Sequence, residues 1–326
     1  MNIESFDIQA LTRNAKQVLA LDLARMPDGN VLSLPALCAV GREPGPTLLV
    51  LAGVHGDEYE GIVAIPEIFR QLEPANLRGT FLAVPVCNVP AYLSATRSSP
   101  IDGLNLARAF PGDPNGSLTQ RIAYWLGERV MRHADLIIDL HSAGIAYHLP
   151  MLVGYYRPDN ELGRRTRGLA LQFGADVVWA HPQIAAGRTL SFAAERGIPG
   201  LYTEAPGGGR VRPADVEMCV RGVLNSLKAL HMLDGQAQPP TPTHRLVGSG
   251  DLDHMIAARH GGLFFSHVKL LDDVRAGDVL GEVRDLTGRT LQEIRSPVEG
   301  VVITTRGLLR VNAGDGLFAL AQREKA

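Results

Sequence analysis

The 326-residue chain reads as an α/β protein: a mixed, largely parallel sheet with helices on both faces, followed by a smaller all-β unit. Up to about residue 230, apolar runs of strand length alternate with stretches of helical spacing. The text then becomes QAQPPTPT over 236–243, where three prolines among polar residues predict a stiff, exposed connector. Beyond it the helical period stops. VRAGDVLGEV at 274–283 is echoed by VNAGDGLFAL at 311–320, and both copies place Ala-Gly-Asp before a β run. These features divide the chain into a catalytic-sized unit over 1–238 and a β-rich unit over 244–326.

The elements follow in order. Stretches 17–24 and 31–40 alternate in polarity around a Pro-Asp-Gly turn and predict a hairpin-like pair. Residues 47–54 are continuously apolar, as in a buried parallel strand. Ile62, Ile65, Ile68, Phe69 and Leu72 give 58–72 helical spacing. A strand is expected over 80–86. The Pro-, Gly-, Ser- and Asn-rich stretch 90–114 reads as loop. An amphipathic helix is expected over 118–131, a short buried strand over 136–140, helices over 162–173 and 190–196, and an apolar strand around Leu201.

Bulk properties exclude several functions. A formal net charge of -2 provides no basic field for nucleic acid. No apolar run reaches the roughly 18 residues of a membrane span, and MNIESFDIQA lacks the pattern of a secretory signal. Cys38, Cys87 and Cys219 are scattered, which argues for a reducing compartment and a cytoplasmic protein.

The chemistry gathers where strands end. In LLVLAGVHGDEYEG, His55 and Glu58 lie three apart, a spacing that puts both on one face of a first helical turn. His141 follows the strand-like LIIDL, and Glu204 follows the apolar stretch ending at Tyr202. In open α/β sheets ligands bind beyond the carboxyl ends of the strands, so all three segments deliver to one edge. Two imidazoles and one carboxylate leave a tetrahedral zinc one open position, as in a hydrolytic site, and Glu204 is the expected base. Asp139, two before His141, reads as an ordinary strand carboxylate. His148, His181, His254, His260 and His267 read as structural or surface groups, and Gly207, Gly208 and Gly209 as a turn. Asp57 and Glu60 are expected in the first turn of the helix.

The motifs GVHGDEYEG, NLARAFPG, DLHSAG and TEAPGGG, spread in order over about 45–210, resemble the succinylglutamate desuccinylase and aspartoacylase family, a branch of the zinc carboxypeptidase fold. The resemblance implies one zinc ion per chain on His55, Glu58 and His141, Glu204 as general base and acid, and hydrolysis of an amide on a small N-acylated amino acid. The family pairs Asn with Arg ahead of its Phe-Pro-Gly turn to grip a substrate carboxylate; here the pair is Ala107-Arg108. Arg108 keeps the bidentate fork, and Asn105 is the candidate to replace the missing amide. Arg97 is the candidate for stabilising the oxyanion. The β-rich tail resembles the barrel-sandwich fold of biotinyl and lipoyl domains. Its lysines, Lys269 and Lys325, do not occupy a carrier hairpin.

The expectation is therefore a zinc-dependent deacylase acting on a small anionic molecule, with no nucleic-acid or membrane partner and with self-association left open. A zinc carboxypeptidase cutting short peptides is the near alternative. A non-catalytic zinc-binding scaffold is the more distant one.

Overall fold

The computed structural model describes residues 1–250 and 252–325. The N-terminal part contains β1 (Ala15–Arg25), β2 (Val31–Val40), β3 (Glu43–Ala52), α1 (Glu60–Gln71), β4 (Arg78–Val84), α2 (Val89–Leu93), α3 (Leu118–Trp125) and β5 (Leu136–Ser142). It continues through β6 (Tyr147–His148), β7 (Leu152–Tyr156), α4 (Glu161–Phe173), β8 (Val177–His181), α5 (Thr189–Glu195), β9 (Gly200–Ala205), α6 (Pro213–Ala229) and β10 (His244–Val247). The main sheet runs in the order β1-β2-β4-β3-β5-β9-β7-β8-β10. Neighbours β4-β3, β3-β5, β5-β9, β7-β8 and β8-β10 are parallel, and the β1-β2-β4 edge and the β7-β9 pair are antiparallel.

Burial explains the pattern of the text. The last five residues of β3 and all of β5 are buried, because helices cover both faces of the parallel centre. On one face, Ile65 and Ile68 of α1, Phe173 of α4 and Val223 of α6 pack on Val50 and Ile138. On the other, Ile122 of α3 and Phe192 of α5 pack with Leu49 and Ile137. The mixed α/β architecture with helices on both faces is as the sequence led one to expect.

Several elements differ. The expected loop 90–114 holds most of α2 and a 3-10 turn at Leu106–Arg108. The expected helix 118–131 is α for only eight residues, then passes through a π turn at Leu126–Val130. β7, β8 and α6 had no counterpart in the reading of the sequence. For α6 the signal was present: Pro213 sits in its first turn, and Cys219, Val223 and Leu227 are buried at four-residue spacing.

After the connector the described residues form β strands and one 3-10 turn at Leu252–His254. β10 continues the main sheet, and then come β11 (Ile256–Ala257), β12 (Gly262–Ser266), β13 (Asp273–Val274), β14 (Val279–Arg284), β15 (Thr290–Arg295), β16 (Gly300–Arg306), β17 (Arg310–Val311) and β18 (Gly316–Arg323). β18 pairs with β10, so the sheet runs on into the tail, while β15-β14-β12-β17 form a separate four-stranded sheet. Leu280, Val283, Leu317 and Phe318, from the two Ala-Gly-Asp repeats, share one core. Cys38, Cys87 and Cys219 are buried and free. Among the described residues no helix is long and apolar enough to cross a membrane.

Candidate metal centre

β3, β5 and β9 lie side by side and parallel, so their carboxyl ends open on the same edge. His55 and Glu58 sit in the turn between β3 and α1, ahead of the helix rather than in its first turn. That turn is pinned by the Gly56 amide, which donates to Thr96 O at 2.9 Å. It also lies so close to α2 that a Cβ on Gly56 would fall 2.0 Å from the backbone of Ala91. Glu60 begins α1 as expected, whereas Asp57 is buried in the turn and accepts from the Ile145 amide. His141 is the sixth residue of β5 and is paired in register with Glu204 of β9, so both side chains leave the same face.

His55, Glu58 and His141 are buried, and one ligand atom from each lies within 4.8 Å of the others. His55 Nδ1 is 2.7 Å from Glu58 Oε1, and His141 Nδ1 is 2.8 Å from Glu58 Oε2. The outer ring nitrogens fix the tautomers. Asn105 Oδ1 accepts the Ala107 amide at 2.9 Å, which identifies it as oxygen, so His55 Nε2 at 3.1 Å donates to it. His141 Nε2 donates to Asp139 Oδ2 at 2.9 Å, and the same oxygen accepts from Thr189 Oγ1 at 2.7 Å. Both Nδ1 lone pairs therefore converge with a carboxylate, an all-acceptor cluster that fits one divalent cation held by ligands oriented from behind.

The electrostatics agree. Burial pushes the Glu58 carboxyl up, but the two imidazoles outweigh it and hold it well below the usual range. Burial, together with Arg97, lowers His55. Burial would lower His141 as well, but Asp139 and Glu58 hold it well above its ordinary value. Glu204 is raised well above the carboxylate range, by burial and then by the Glu58 charge, and its Oε2 has no hydrogen-bond partner.

These groups line a cavity of about 90 Å³ that includes His55, His141, Glu204, Arg97, Arg108 and Arg188. Arg97 Nη1 lies 3.1 Å from Glu58 Oε1. Arg108 has its fork filled: Nε and Nη2 donate to Asp253 at 2.9 and 3.0 Å. Asn105 is bonded to His55 and Ala107 rather than turned to the cavity, and it caps a 3-10 turn within the stretch read as loop. Thr189, Arg188 and Tyr202 were not singled out from sequence, while Asp139 and His181 were considered and left outside the site. Tyr202 could have been singled out, since it stands two before Glu204 on the same strand face. His181 could have been included, since it ends an apolar strand just as His141 does.

A model of the succinylglutamate desuccinylase/aspartoacylase catalytic domain matches residues 44–230. The chain belongs to this family. It is 34% identical over 287 residues to N-alpha-acetyl-L-2,4-diaminobutyric acid deacetylase of Halomonas elongata, covering 87% of this chain and 84% of that protein. A succinylglutamate desuccinylase/aspartoacylase from Rhodobacter sphaeroides superposes with a TM-score of 0.87 at 30% identity, covering 96% of this chain and 97% of the other. The product-bound ectoine utilization protein EutE (DoeB) from Ruegeria pomeroyi does so with a TM-score of 0.87 at 27% identity, with the same two coverages. Family and ligand cluster together make this protein a zinc-dependent hydrolase that removes an acyl group from a small amide substrate, with one zinc site on His55, Glu58 and His141.

Proposed function

We propose that the protein deacetylates a small N-acetylated amino acid, with an N-acetylated diamino acid as the leading substrate. The observation that carries the hydrolytic reading is Glu204: a half-buried side chain whose enclosed Oε2 has no hydrogen-bond partner, set in register with His141 beside three converging ligand atoms. The choices of acetyl as the acyl group and of a diamino acid as the amine both rest on the likeness to the Halomonas deacetylase.

His55, Glu58 and His141 would hold the zinc ion, which when bound would supply a Lewis acid and lower the pKa of water toward neutrality. Glu204 takes the proton of the attacking water and returns it to the leaving nitrogen. Arg97, partly exposed beside the ligands, faces the charge that develops on the scissile oxygen. Asn105 and Asp139 act by orienting the two imidazoles. Arg108 grips the substrate carboxylate once that group has exchanged with Asp253 on the guanidinium fork. We further propose that residues 244–326 form a barrel-sandwich-like domain without carrier chemistry, separate from a catalytic domain over 1–238. The four-stranded sheet and its own core support this division.

The test is a panel of N-acetyl amino acids, N-succinyl amino acids, N-acetyl diamino acids and short peptides, run on zinc-loaded protein. Turnover concentrated on the acetylated diamino acids is the expected result. Turnover of peptides alone would make the protein a carboxypeptidase, and a silent panel would favour the scaffold.

A further inference from the structure

One hydrogen-bond chain in the cavity wall takes no part in orienting the ligands. His181, at the end of β8, is buried, with Nδ1 2.9 Å from Gly248 O and Nε2 2.9 Å from the hydroxyl of Tyr202. A carbonyl oxygen only accepts, so Nδ1 carries the proton. The ring is neutral, since burial and then the nearby Arg188 charge outweigh the bond to Gly248 and lower it to about 4. A neutral imidazole protonated on Nδ1 has only a lone pair at Nε2, so the Tyr202 hydroxyl must donate to it. The single hydrogen of the phenol is thus committed inside the wall. What Tyr202 Oη offers to the cavity it lines is lone pairs alone.

The tyrosine is also held in place. Its ring stacks on His181 with centroids 5.6 Å apart, and it lies against Gly154, where a Cβ would fall 2.0 Å from Cε1. Burial, then the Glu204 charge, keep the phenol well above its ordinary range, so it stays protonated and the chain keeps its direction. Tyr202 and Glu204 are two apart on β9 and face the same way.

We propose that Tyr202 is a specificity-determining residue that accepts a hydrogen bond from the scissile amide N–H of the substrate. This rests on the amidohydrolase reading above. In that reading the leaving nitrogen comes next to Glu204, and its hydrogen is the one donor that every amide substrate brings to this place. The same arrangement selects against esters, whose bridging oxygen would set lone pairs against lone pairs.

The experiment compares the acetylated amino acid best hydrolysed by the wild type with its ester analogue, in which oxygen replaces the scissile N–H. The enzymes are the wild type, Tyr202→Phe and His181→Phe, each assayed with its zinc content measured. Tyr202→Phe should lower kcat/KM for the amide about tenfold, the scale of one neutral hydrogen bond, while the ester value holds or rises as the lone-pair repulsion is lost. In His181→Phe the hydroxyl is free to turn its proton into the cavity, so the amide-to-ester ratio should fall there too. Equal loss on amide and ester in the variants that hold one zinc per chain would mean a structural role and overturn the proposal, as would no loss on either. A wild type that hydrolyses no amide would instead remove the function proposed above, and this inference with it.

Discussion

The buried histidine of the cavity wall makes a quantitative claim about stability. His181 has its imidazole lowered to about 4, chiefly by burial, against about 6.5 in an unfolded chain. The folded protein therefore binds this proton less readily than the unfolded one does. Its contribution is present above pH 6.5 and is lost as pH falls through the window from 6.5 to 4. Between pH 7.5 and 4.5 the two-state linkage expression assigns it roughly 2.5 kcal/mol. Glu58, which lies well below the carboxylate range, loses its contribution only at lower pH, below about 4.5. The assay is urea denaturation of the zinc-free protein at pH 7.5 and 4.5, on the wild type and on His181→Gln, which cannot titrate. Groups common to both proteins cancel in the difference between them. The wild type should lose roughly 2 to 3 kcal/mol more than the variant over this window. Equal losses in the two proteins would refute the neutral, buried imidazole and the direction of the Tyr202 hydrogen bond derived from it.

Other predictions follow from single contacts. Asn105→Ala removes the acceptor that orients His55, so zinc affinity measured by chelator competition should weaken about 10- to 100-fold, while Asn105→Asp should retain most of it. Asp253→Asn should lower KM for a carboxylated substrate, because Arg108 no longer holds a competing carboxylate. Asp253 is more than half exposed, so the gain should stay within about fivefold and shrink with added salt. An unchanged KM would show that the substrate carboxylate does not use Arg108.

Much of the metal centre was legible because its parts are local or periodic. His55 and Glu58 share one turn, and His141 and Glu204 each follow an apolar run that could only be a buried strand. The common edge followed from parallel strands, which the alternating pattern implied. What stayed hidden depends on contacts across long stretches of chain. Asp253 reaches Arg108 over 145 residues, and Thr189 reaches Asp139 over 50. No spacing rule encodes such pairs. Asn105 was noticed but set against the substrate, because a loop reading does not reveal the 3-10 turn that brings its side chain to His55 and the Ala107 amide. The tail was read correctly as β. Its strand β10 nevertheless extends the main sheet beside β8, since short edge strands find partners by shape and not by any local signal.

The central claim is that two imidazoles and Glu58 hold the ion while Glu204 moves the proton. It is met most directly by the turnover of Glu204→Gln loaded with zinc, on the best acetylated substrate. The account predicts one zinc per chain, as in the wild type, with kcat lowered at least about a hundredfold. Full zinc occupancy with kcat within a few-fold of the wild type would contradict it.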